Sequence, residues 1–270
     1  MTRAERIEVF ESTMELFRRD EALSDNTEDS IRRQSVIRAV TPLQERDEPS
    51  PGRSGTVRLS MGRSFQAAMR HPGHHTAVLN FASWINPGGG VEKGASAQEE
   101  SLCMISNLYP CLRDERMMRG FYLPHRNMKC DGTYNDDMIY TPGVTIVRRD
   151  DASMEILPEN LRFQSDVITM AAPNLRRVRN PEALDTAGIF RIRIGKVLAA
   201  AYENGADTVV LGAFGCGVFG NDPMIVAAAT CEVLKTVRTW FDTIEVPVFC
   251  PGDTSNYDAF ERVFRKNAIF

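Results

Sequence analysis

Two groups of residues in the segment NPGGGVEKGASAQEES have side chains and spacing that could do chemistry. The first is a run of three glycines, and the second, after a spacer of seven residues, is a glutamine followed by two glutamates: Gly88, Gly89, Gly90, Gln98, Glu99 and Glu100. Glycine lets the backbone approach a ligand closely, and adjacent carboxyl groups raise each other's pKa. A carboxyl that keeps its proton near neutral pH can act as a general acid. The same pattern also fits a mobile surface loop followed by an acidic helix N-terminus.

A second glycine-rich segment, GCGVFG, follows the apolar stretch TVVLG, just as the first glycine run follows TAVLNF. We interpret both stretches as strands. Ligands of open α/β sheets bind beyond the carboxyl ends of strands, so the two loops predict a single cleft. Consecutive amides bind phosphate oxygens, and a helix beginning near Asp222 or Pro223 would add its positive end, which suits a diphosphate. A dinucleotide-binding fingerprint is a poor interpretation, because GCGVFG lies late in the chain and has no acidic partner at the usual distance.

Short apolar stretches that alternate with helical segments predict an α/β layered fold. The predicted strands cover residues 56–60, 76–81, 144–147, 167–172, 208–212 and 244–249. Two segments between the later strands, GIFRIRIGKVLAAAYENG and DPMIVAAATCEVLKTVRTWF, have helical periodicity. The run at 209–211 is continuously apolar, so we expect its strand to be covered on both faces.

The first 55 residues have helical periodicity and no strand-like apolar runs. Ile7, Phe10, Met14 and Phe17 recur at spacings of three and four, which predicts an amphipathic helix. A second helix is predicted over residues 26–40, ended by a proline at position 42, before the polar connection ERDEPSPGRSG. We therefore expect an N-terminal helical extension and linker over residues 1–55 and a core domain over residues 56–270.

The composition excludes several classes of protein. A chain of 270 residues with 43% apolar and 25% charged residues is typical of a globular protein. A net charge of −4 gives no global basic field for nucleic acid, and no stretch approaches the roughly 18 apolar residues of a membrane span. Six cysteines without a CxxC pair and a charged N-terminus predict a reduced, cytoplasmic protein.

Taken together, VLNFASWINPGGGVEKGASAQEESL and VLGAFGCGVFGNDP resemble the bacterial-type poly(ADP-ribose) glycohydrolases, a branch of the macrodomain fold. That family is marked by GGG, a spacer of about six to eight residues, and QEE; the motif APN at 172–174 and YTPGV at 140–144 are also similar. The resemblance extends from about residue 60 to the C-terminus. It implies a three-layer α/β/α core with a mixed sheet, carrying the N-terminal helical extension.

The resemblance also implies an activity, the hydrolysis of ribose–ribose O-glycosidic bonds in poly(ADP-ribose) with release of ADP-ribose. Glu100 would be the general acid and then the base that activates water. Glu99 and Asn80 would hold hydroxyls of the terminal ribose, and Phe219 would pack against the distal ribose. An ordinary glutamate is ionised near neutral pH, so this acid requires burial or a neighbouring carboxylate to raise its pKa.

The other predicted substrate contacts are polar groups of the two motifs. Gln98 is expected to contact substrate, and the diphosphate is expected to lie on backbone amides of Gly88, Gly89, Gly90, Gly215, Cys216, Gly217 and Val218. Cys216 would contribute its amide rather than its thiol, because no catalytic base accompanies it. No residue is assigned to the adenine.

Partners, cofactors and alternatives complete the expectation. The ligand would be poly(ADP-ribose) or ADP-ribose, presented on ADP-ribosylated proteins, with no metal, cofactor, membrane or sequence-specific nucleic acid. HPGHH lacks a zinc ligand set, DGTYNDD lacks the register of a calcium loop, and NLRRVRNPE is interpreted as a basic surface loop. Two other functions remain open: an ADP-ribose reader without catalysis, and a hydrolase of mono-ADP-ribosylated protein, nucleic acid or small molecule.

Overall fold

The computed structural model describes residues 1–39 and 53–269. Within these ranges, seven strands form one mixed sheet in the order β1-β4-β5-β3-β6-β7-β2. The strands are β1 (Ser35–Ile37), β2 (Thr56–Met61), β3 (Thr76–Phe81), β4 (Met138–Ile146), β5 (Phe163–Met170), β6 (Thr208–Val210) and β7 (Thr243–Val248). The pairs from β5 to β2 are parallel, and β4 is antiparallel to both of its neighbours.

Helices cover the sheet. Within the described ranges the α-helices are α1 (Arg3–Arg19), α2 (Glu21–Arg33), α3 (Ser64–Ala68), α4 (Gln98–Ile105), α5 (Leu108–Arg113), α6 (Glu115–Met117), α7 (Leu123–Asn127), α8 (Thr186–Glu203), α9 (Pro223–Val237) and α10 (Ser255–Lys266). A π-helical segment (Met118–Tyr122) joins α6 to α7, and short 3₁₀ turns lie at Val91–Lys93, Glu159–Leu161, Pro181–Ala183 and Arg238–Trp240. None of the helices in the described part of the chain combines the length and apolarity needed to cross a bilayer.

Both faces of the sheet are buried, as β3 illustrates. Its residues alternate between two core clusters: Ala77 and Leu79 pack in a cluster with α8, α9 and α10, whereas Val78 packs with Phe65 of α3 and Leu102 of α4. Helices therefore lie on both sides of the sheet. The predicted three-layer α/β/α fold with a mixed sheet is confirmed.

The predicted strands agree with the sheet where the apolar pattern is uninterrupted. β3 occupies the predicted residues, but β4 begins at Met138, six residues before the predicted start at 144. The predicted start was wrong because Pro142 and Gly143 interrupt the apolar pattern. In the structure they form an irregularity between Thr141 and Val144, and the strand continues on both sides of it.

The predicted second helix over residues 26–40 was also wrong in its bounds. The helix begins at Glu21, because the Asp20 side chain caps it by accepting from the Leu23 amide at 3.2 Å, and it ends at Arg33. Residues 35–37 are extended instead and form β1, which pairs with β4. The predicted end at position 42 and most of the predicted connection lie outside the described residues.

Candidate active site

The two glycine-rich segments lie side by side at the carboxyl ends of β3 and β6, which are neighbours in the sheet. The first runs from the end of β3 to the start of α4, and the second runs from the end of β6 to α9. Asp222 caps α9 by accepting from the Met224 amide at 2.8 Å, and Pro223 occupies the first turn, as the sequence indicates. Both segments therefore lie at the same edge of the sheet, where the single cleft was predicted.

The cleft has two compartments that meet at Phe81, Ala97, Val218 and Phe219. The carboxylate compartment, with a volume of about 880 Å³, is lined by Ser83, Trp84, Glu99, Glu100, Tyr134 and the residues around them. The strand-end compartment, with a volume of about 290 Å³, is lined by Arg63, Gln98, Gly217, Phe249, Asn256 and their neighbours. An elongated ligand could therefore occupy both compartments across the second glycine-rich segment.

Glu99 is a buried carboxyl group, 3% exposed, on the first turn of α4. It accepts hydrogen bonds from the Ser83 amide at 2.7 Å and from Asn80 Nδ2 at 3.4 Å. Burial raises its pKa to about 8, and the neighbouring Glu100 adds to the rise, against the lowering effect of the hydrogen bonds. A carboxyl proton is therefore available in the cleft at neutral pH.

Glu100 is 7% exposed, and one of its two carboxyl oxygens accepts a hydrogen bond from the protein. Its Oε1 accepts from the Gly90 amide at 2.8 Å. Its Oε2 has no hydrogen-bond partner within residues 1–39 and 53–269. Buried carboxyl oxygens are rarely left without a partner, so an unpaired oxygen lining a cleft indicates a place for a ligand or water.

The glycine run is shaped by these carboxyl groups. Gly88 and Gly89 have φ angles of +68° and +61°. A Cβ on Gly89 would collide with Glu100 Oε1 and would lie 3.3 Å from Glu99 Oε2, and one on Gly88 would lie 2.6 Å from Tyr109 Cδ2. The run is glycine because the chain passes directly over the two glutamates.

The expectation that these three amides bind a diphosphate stays a prediction, and two of them already donate within the protein. The Gly90 amide donates to Glu100 Oε1 at 2.8 Å, and the Gly89 amide donates to the Asn86 carbonyl at 2.9 Å. An amide that already has a well-aligned acceptor has no second proton to offer an anion. Within the first glycine run, Gly90 therefore holds the Glu100 carboxyl group in place.

The second glycine-rich segment carries several free amides. Within the described chain, the amides of Gly215, Gly217 and Val218 have no hydrogen-bond acceptor. Gly215 has a φ of +79° and is packed closely, because a Cβ there would lie 2.6 Å from Ala172 Cβ. The Cys216 amide donates to the Ala213 carbonyl at 3.2 Å, and burial raises the pKa of its thiol to about 12, so this cysteine is not a nucleophile.

Phe219 lines both compartments of the cleft. Its carbonyl accepts from the Leu175 amide at 3.0 Å, and its ring lies 6.5 Å from the Tyr134 ring. Asn80 is fully buried; its Nδ2 also donates to Thr169 Oγ1 at 3.2 Å, and its Oδ1 has no partner within the described residues. Phe219 therefore retains a ring surface that a ligand could use, whereas Asn80 retains an unpaired oxygen but lines neither compartment.

Gln98 has a different position from its neighbours in the motif. Its Nε2 donates to the Leu79 carbonyl at 2.9 Å and to Ser64 Oγ at 3.0 Å, and its Oε1 accepts from the Phe81 amide at 2.8 Å. All of these partners belong to the protein. The side chain fixes the start of α4 to the end of β3, and this explains its place in the motif without a substrate contact.

Two aromatic features of the cleft were not found from the sequence. Trp84 stacks on His125 at 3.5 Å and on Tyr134 at 4.9 Å, which gives the carboxylate compartment a rigid wall. In the strand-end compartment, Phe249 is 51% exposed, and the Arg63 guanidinium lies 4.2 Å from its ring centre. The aromatic residue that follows β7 was the available signal for the second feature, because it stands at a strand's carboxyl end.

The histidines of HPGHH lie away from the cleft and contact separate carboxylates. The pairs are His71 with Glu245 at 2.6 Å, His74 with Asp207 at 3.0 Å and His75 with Asp166 at 2.7 Å. Among the described residues, one group of possible metal ligands lies together: His74, Asp207 and Asp242, with their ligand atoms within 4.8 Å of one another. Asp242 also pairs with Arg53 at 3.2 Å, which compensates its charge.

Comparison with known proteins adds independent findings. The family model for the microbial-type PARG catalytic domain matches residues 6–149. A poly(ADP-ribose) glycohydrolase (PARG) from Thermomonospora curvata has 32% identity and a TM-score of 0.87, covering 97% of this chain and 100% of that chain. The same enzyme bound to the inhibitor ADP-HPD has 30% identity and a TM-score of 0.81, with coverages of 96% and 99%.

A poly(ADP-ribose) glycohydrolase from Deinococcus radiodurans, solved in complex with ADP-ribose, has 29% identity and a TM-score of 0.77. It covers 89% of this chain and 97% of that chain. No match was found among curated proteins. Because the family model matches more than half of the chain, and a solved structure shares 32% identity over nearly all of both chains, this chain belongs to the microbial-type family of poly(ADP-ribose) glycohydrolases.

Proposed function

We propose that this chain hydrolyses the ribose–ribose O-glycosidic bond of poly(ADP-ribose) and releases ADP-ribose, with Glu100 as general acid and then general base. The observation that carries the proposal is the hydrogen bonding of Glu100. One oxygen is fixed by the Gly90 amide, and the other is unpaired within the described residues, beside the cleft. A catalytic carboxyl requires this combination of a fixed orientation and a free atom.

The terminal ADP-ribose unit would lie across both compartments. Its diphosphate would contact the free amides of Gly215, Gly217 and Val218, and the start of α9 adds a positive dipole end. Its distal ribose would lie between Phe219 and the carboxyl groups. Its adenine would stack on the exposed face of Phe249 in the strand-end compartment.

In the first step, the bond between the anomeric carbon and the leaving oxygen breaks through a transition state that resembles an oxocarbenium ion. The leaving oxygen takes its proton from Glu100. The Glu100 carboxylate then takes a proton from water while the water oxygen bonds to the anomeric carbon, which restores the acid. Each bond cleaved consumes one water molecule, and the proton that Glu100 donates is returned to it from that water.

Glu99 supplies the means of keeping that proton in the cleft. Burial raises the pKa of Glu99 to about 8, so the two adjacent carboxyl groups hold a proton between them at neutral pH. Ribose hydroxyls that donate to Glu99 stabilise its carboxylate form, and we propose that substrate binding thereby moves the proton to Glu100. Asn80, through its unpaired Oδ1, would accept from a further hydroxyl.

Glu100→Gln tests the assignment. We expect kcat on poly(ADP-ribose) to fall by at least about 10²-fold, because general acid catalysis contributes roughly 10²- to 10⁴-fold. The Kd for ADP-ribose should change by no more than a few-fold, because the amide is isosteric and can still accept from Gly90. Glu11→Gln, at an exposed position on α1, is the matched control. Near-normal turnover by Glu100→Gln would sink the mechanism.

The same assay separates the two other candidate functions. A reader without catalysis would bind ADP-ribose, and the unsubstituted protein would release none from polymer. A mono-ADP-ribose hydrolase would release ADP-ribose from a mono-ADP-ribosylated protein faster than from polymer. We expect polymer to be the faster substrate, presented on ADP-ribosylated proteins.

A further inference from the structure

Four cationic side chains surround the carboxylate compartment and are not explained by the terminal ADP-ribose unit. They form what we call the basic rim: Lys93, Arg113, Arg126 and Arg177. They come from four separate segments of the chain, and all four are exposed. Such convergence of cations is notable in a chain whose net charge is −4.

The charges of the basic rim are uncompensated. None of the four cations forms an ion pair with a carboxylate in the parts of the chain described, residues 1–39 and 53–269. One exposed acid, Glu92, lines the same compartment, so it offsets at most one of the four positive charges. By contrast, Arg63 in the strand-end compartment lies 4.0 Å from the buried carboxylate of Asp150. The excess of positive charge therefore lies on the carboxylate side of the cleft.

Arg126 has the most fixed position in the basic rim. Its Nε donates to the Ile85 carbonyl at 2.7 Å, in the segment just before the glycine run. This bond uses one of the five guanidinium N–H groups and leaves the terminal nitrogens free for an anion. A cation held in this way loses little entropy when it binds phosphate.

The position of the basic rim relative to Glu100 identifies its ligand. The terminal unit places its own diphosphate on the second glycine-rich segment, on the other side of the distal ribose. The bond that Glu100 cleaves joins this ribose to the adenosine ribose of the preceding unit, whose diphosphate must continue outward through the carboxylate compartment. That compartment, at about 880 Å³, is much larger than one ribose ring requires.

We propose that the basic rim is a leaving-group subsite that binds the diphosphate of the penultimate ADP-ribose unit. The proposal rests on the function proposed above. The subsite would hold the polymer while its last bond is cleaved, and Arg113 and Arg126 would make the main phosphate contacts. Its contribution is to polymer affinity, because the contacts exist before and during the cleavage step alike.

The test uses Arg113→Glu and Arg126→Glu, with Arg262→Glu on α10 as a matched charge control at an exposed position. Two substrates are compared: poly(ADP-ribose), and an ADP-ribose glycoside whose leaving alcohol carries no phosphate. For each rim variant we expect the KM for polymer to rise about tenfold with little change in kcat, because one charge-assisted phosphate contact is replaced by repulsion. The KM for the phosphate-free glycoside should stay unchanged.

Salt dependence provides a second readout. Each lost phosphate contact should reduce the slope of log kcat/KM against log salt concentration by roughly 0.7, as for single-stranded polyanions. The Kd for ADP-ribose should stay at the unsubstituted value in every variant, which also reports that the fold is intact. Arg126→Gln, which removes the charge without reversing it, should give an intermediate KM.

Two results would overturn the inference while leaving the proposed function intact. Rim variants could show the polymer KM and salt slope of Arg262→Glu, or they could weaken ADP-ribose and polymer equally, which would place the rim in the terminal unit's own site. Failure of the proposed function has a different signature, since the unsubstituted protein would then not release ADP-ribose from polymer at all.

Discussion

Replacing Glu99 with glutamine should stabilise the folded protein, and the gain should increase with pH. Burial raises the pKa of this carboxyl from 4.5 to about 8, and the charge of Glu100 adds to the rise. Between these two values the unfolded chain has released the proton and the folded chain still holds it. The free energy of unfolding therefore decreases by about 1.4 kcal/mol for each pH unit, and the decrease ends above pH 8.

The magnitude follows from this window. Relative to a group of the same shape that never ionises, Glu99 lowers the free energy of unfolding by under about 1 kcal/mol near pH 5, about 3 kcal/mol near pH 7 and roughly 5 kcal/mol near pH 9. The new amide keeps an oxygen for the Ser83 N–H. Its NH₂ group can donate to Asn80 if the Asn80 amide turns, because the unpaired Oδ1 then faces it and Thr169 Oγ1 becomes the donor to that same oxygen.

Urea unfolding near pH 5, 7 and 9 measures the effect. The difference in unfolding free energy between Glu99→Gln and the unsubstituted protein should widen steadily across the series. Glu11→Gln, on the exposed side of α1, should stay within about 0.5 kcal/mol at every pH. A difference that does not change between pH 5 and pH 8, or a destabilised variant near pH 9, would refute the argument that burial holds the proton on this carboxyl.

Two further predictions concern the glycines and the proton. Gly89→Ala should lower the Tm and kcat together, because its Cβ collides with Glu100. Gly217→Ala, with no atom within 4 Å of its Cβ, should keep the Tm and weaken ADP-ribose binding. Thermal melts and calorimetric titration measure both effects, and equal behaviour of the two variants would contradict the packing argument. The kcat/KM on polymer should decrease as pH rises through about 8, since the carboxyl pair of the free enzyme then loses the proton associated with Glu99. Initial rates from pH 6 to 10 that stay level would contradict it.

The parts of the fold that sequence patterns predicted are those with strong local signals. TAVLNF is mostly apolar and forms β3 at the predicted residues, and the capping residue Asp222 with Pro223 marks the start of α9. These signals depend on a few adjacent residues, so tertiary context rarely overrides them. The meeting of the two glycine-rich segments also followed, because parallel neighbouring strands end at the same edge.

Features that depend on distant residues were missed. β1 exists because Val36 and Ile37 pair with Ile139 and Met138, about a hundred residues away, and nothing near β1 in the sequence indicates that partner. The packing of the first glycine run against the glutamates was missed for the same reason. Glycine there was assigned to phosphate binding, but the atom that excludes a Cβ at Gly89 is a carboxyl oxygen of Glu100.

The N-terminal helix α1 makes a further long-range contact with the site, because it holds the segment that connects the glycine run to the glutamates. Arg3 Nε and Arg6 Nε donate to the carbonyls of Lys93 and Gly94, each at 2.7 Å. Gly94 has a φ of +68°, and a Cβ there would lie 2.9 Å from Arg3 Cγ, so the helix and this turn fit closely. The Thr13 hydroxyl donates to the Met104 carbonyl at 2.8 Å, which attaches α1 to the carboxyl-bearing helix α4 as well. Helix α1 therefore supports the spacer between glycines and glutamates from one side, while Gln98 fixes the start of α4 to β3 on the other.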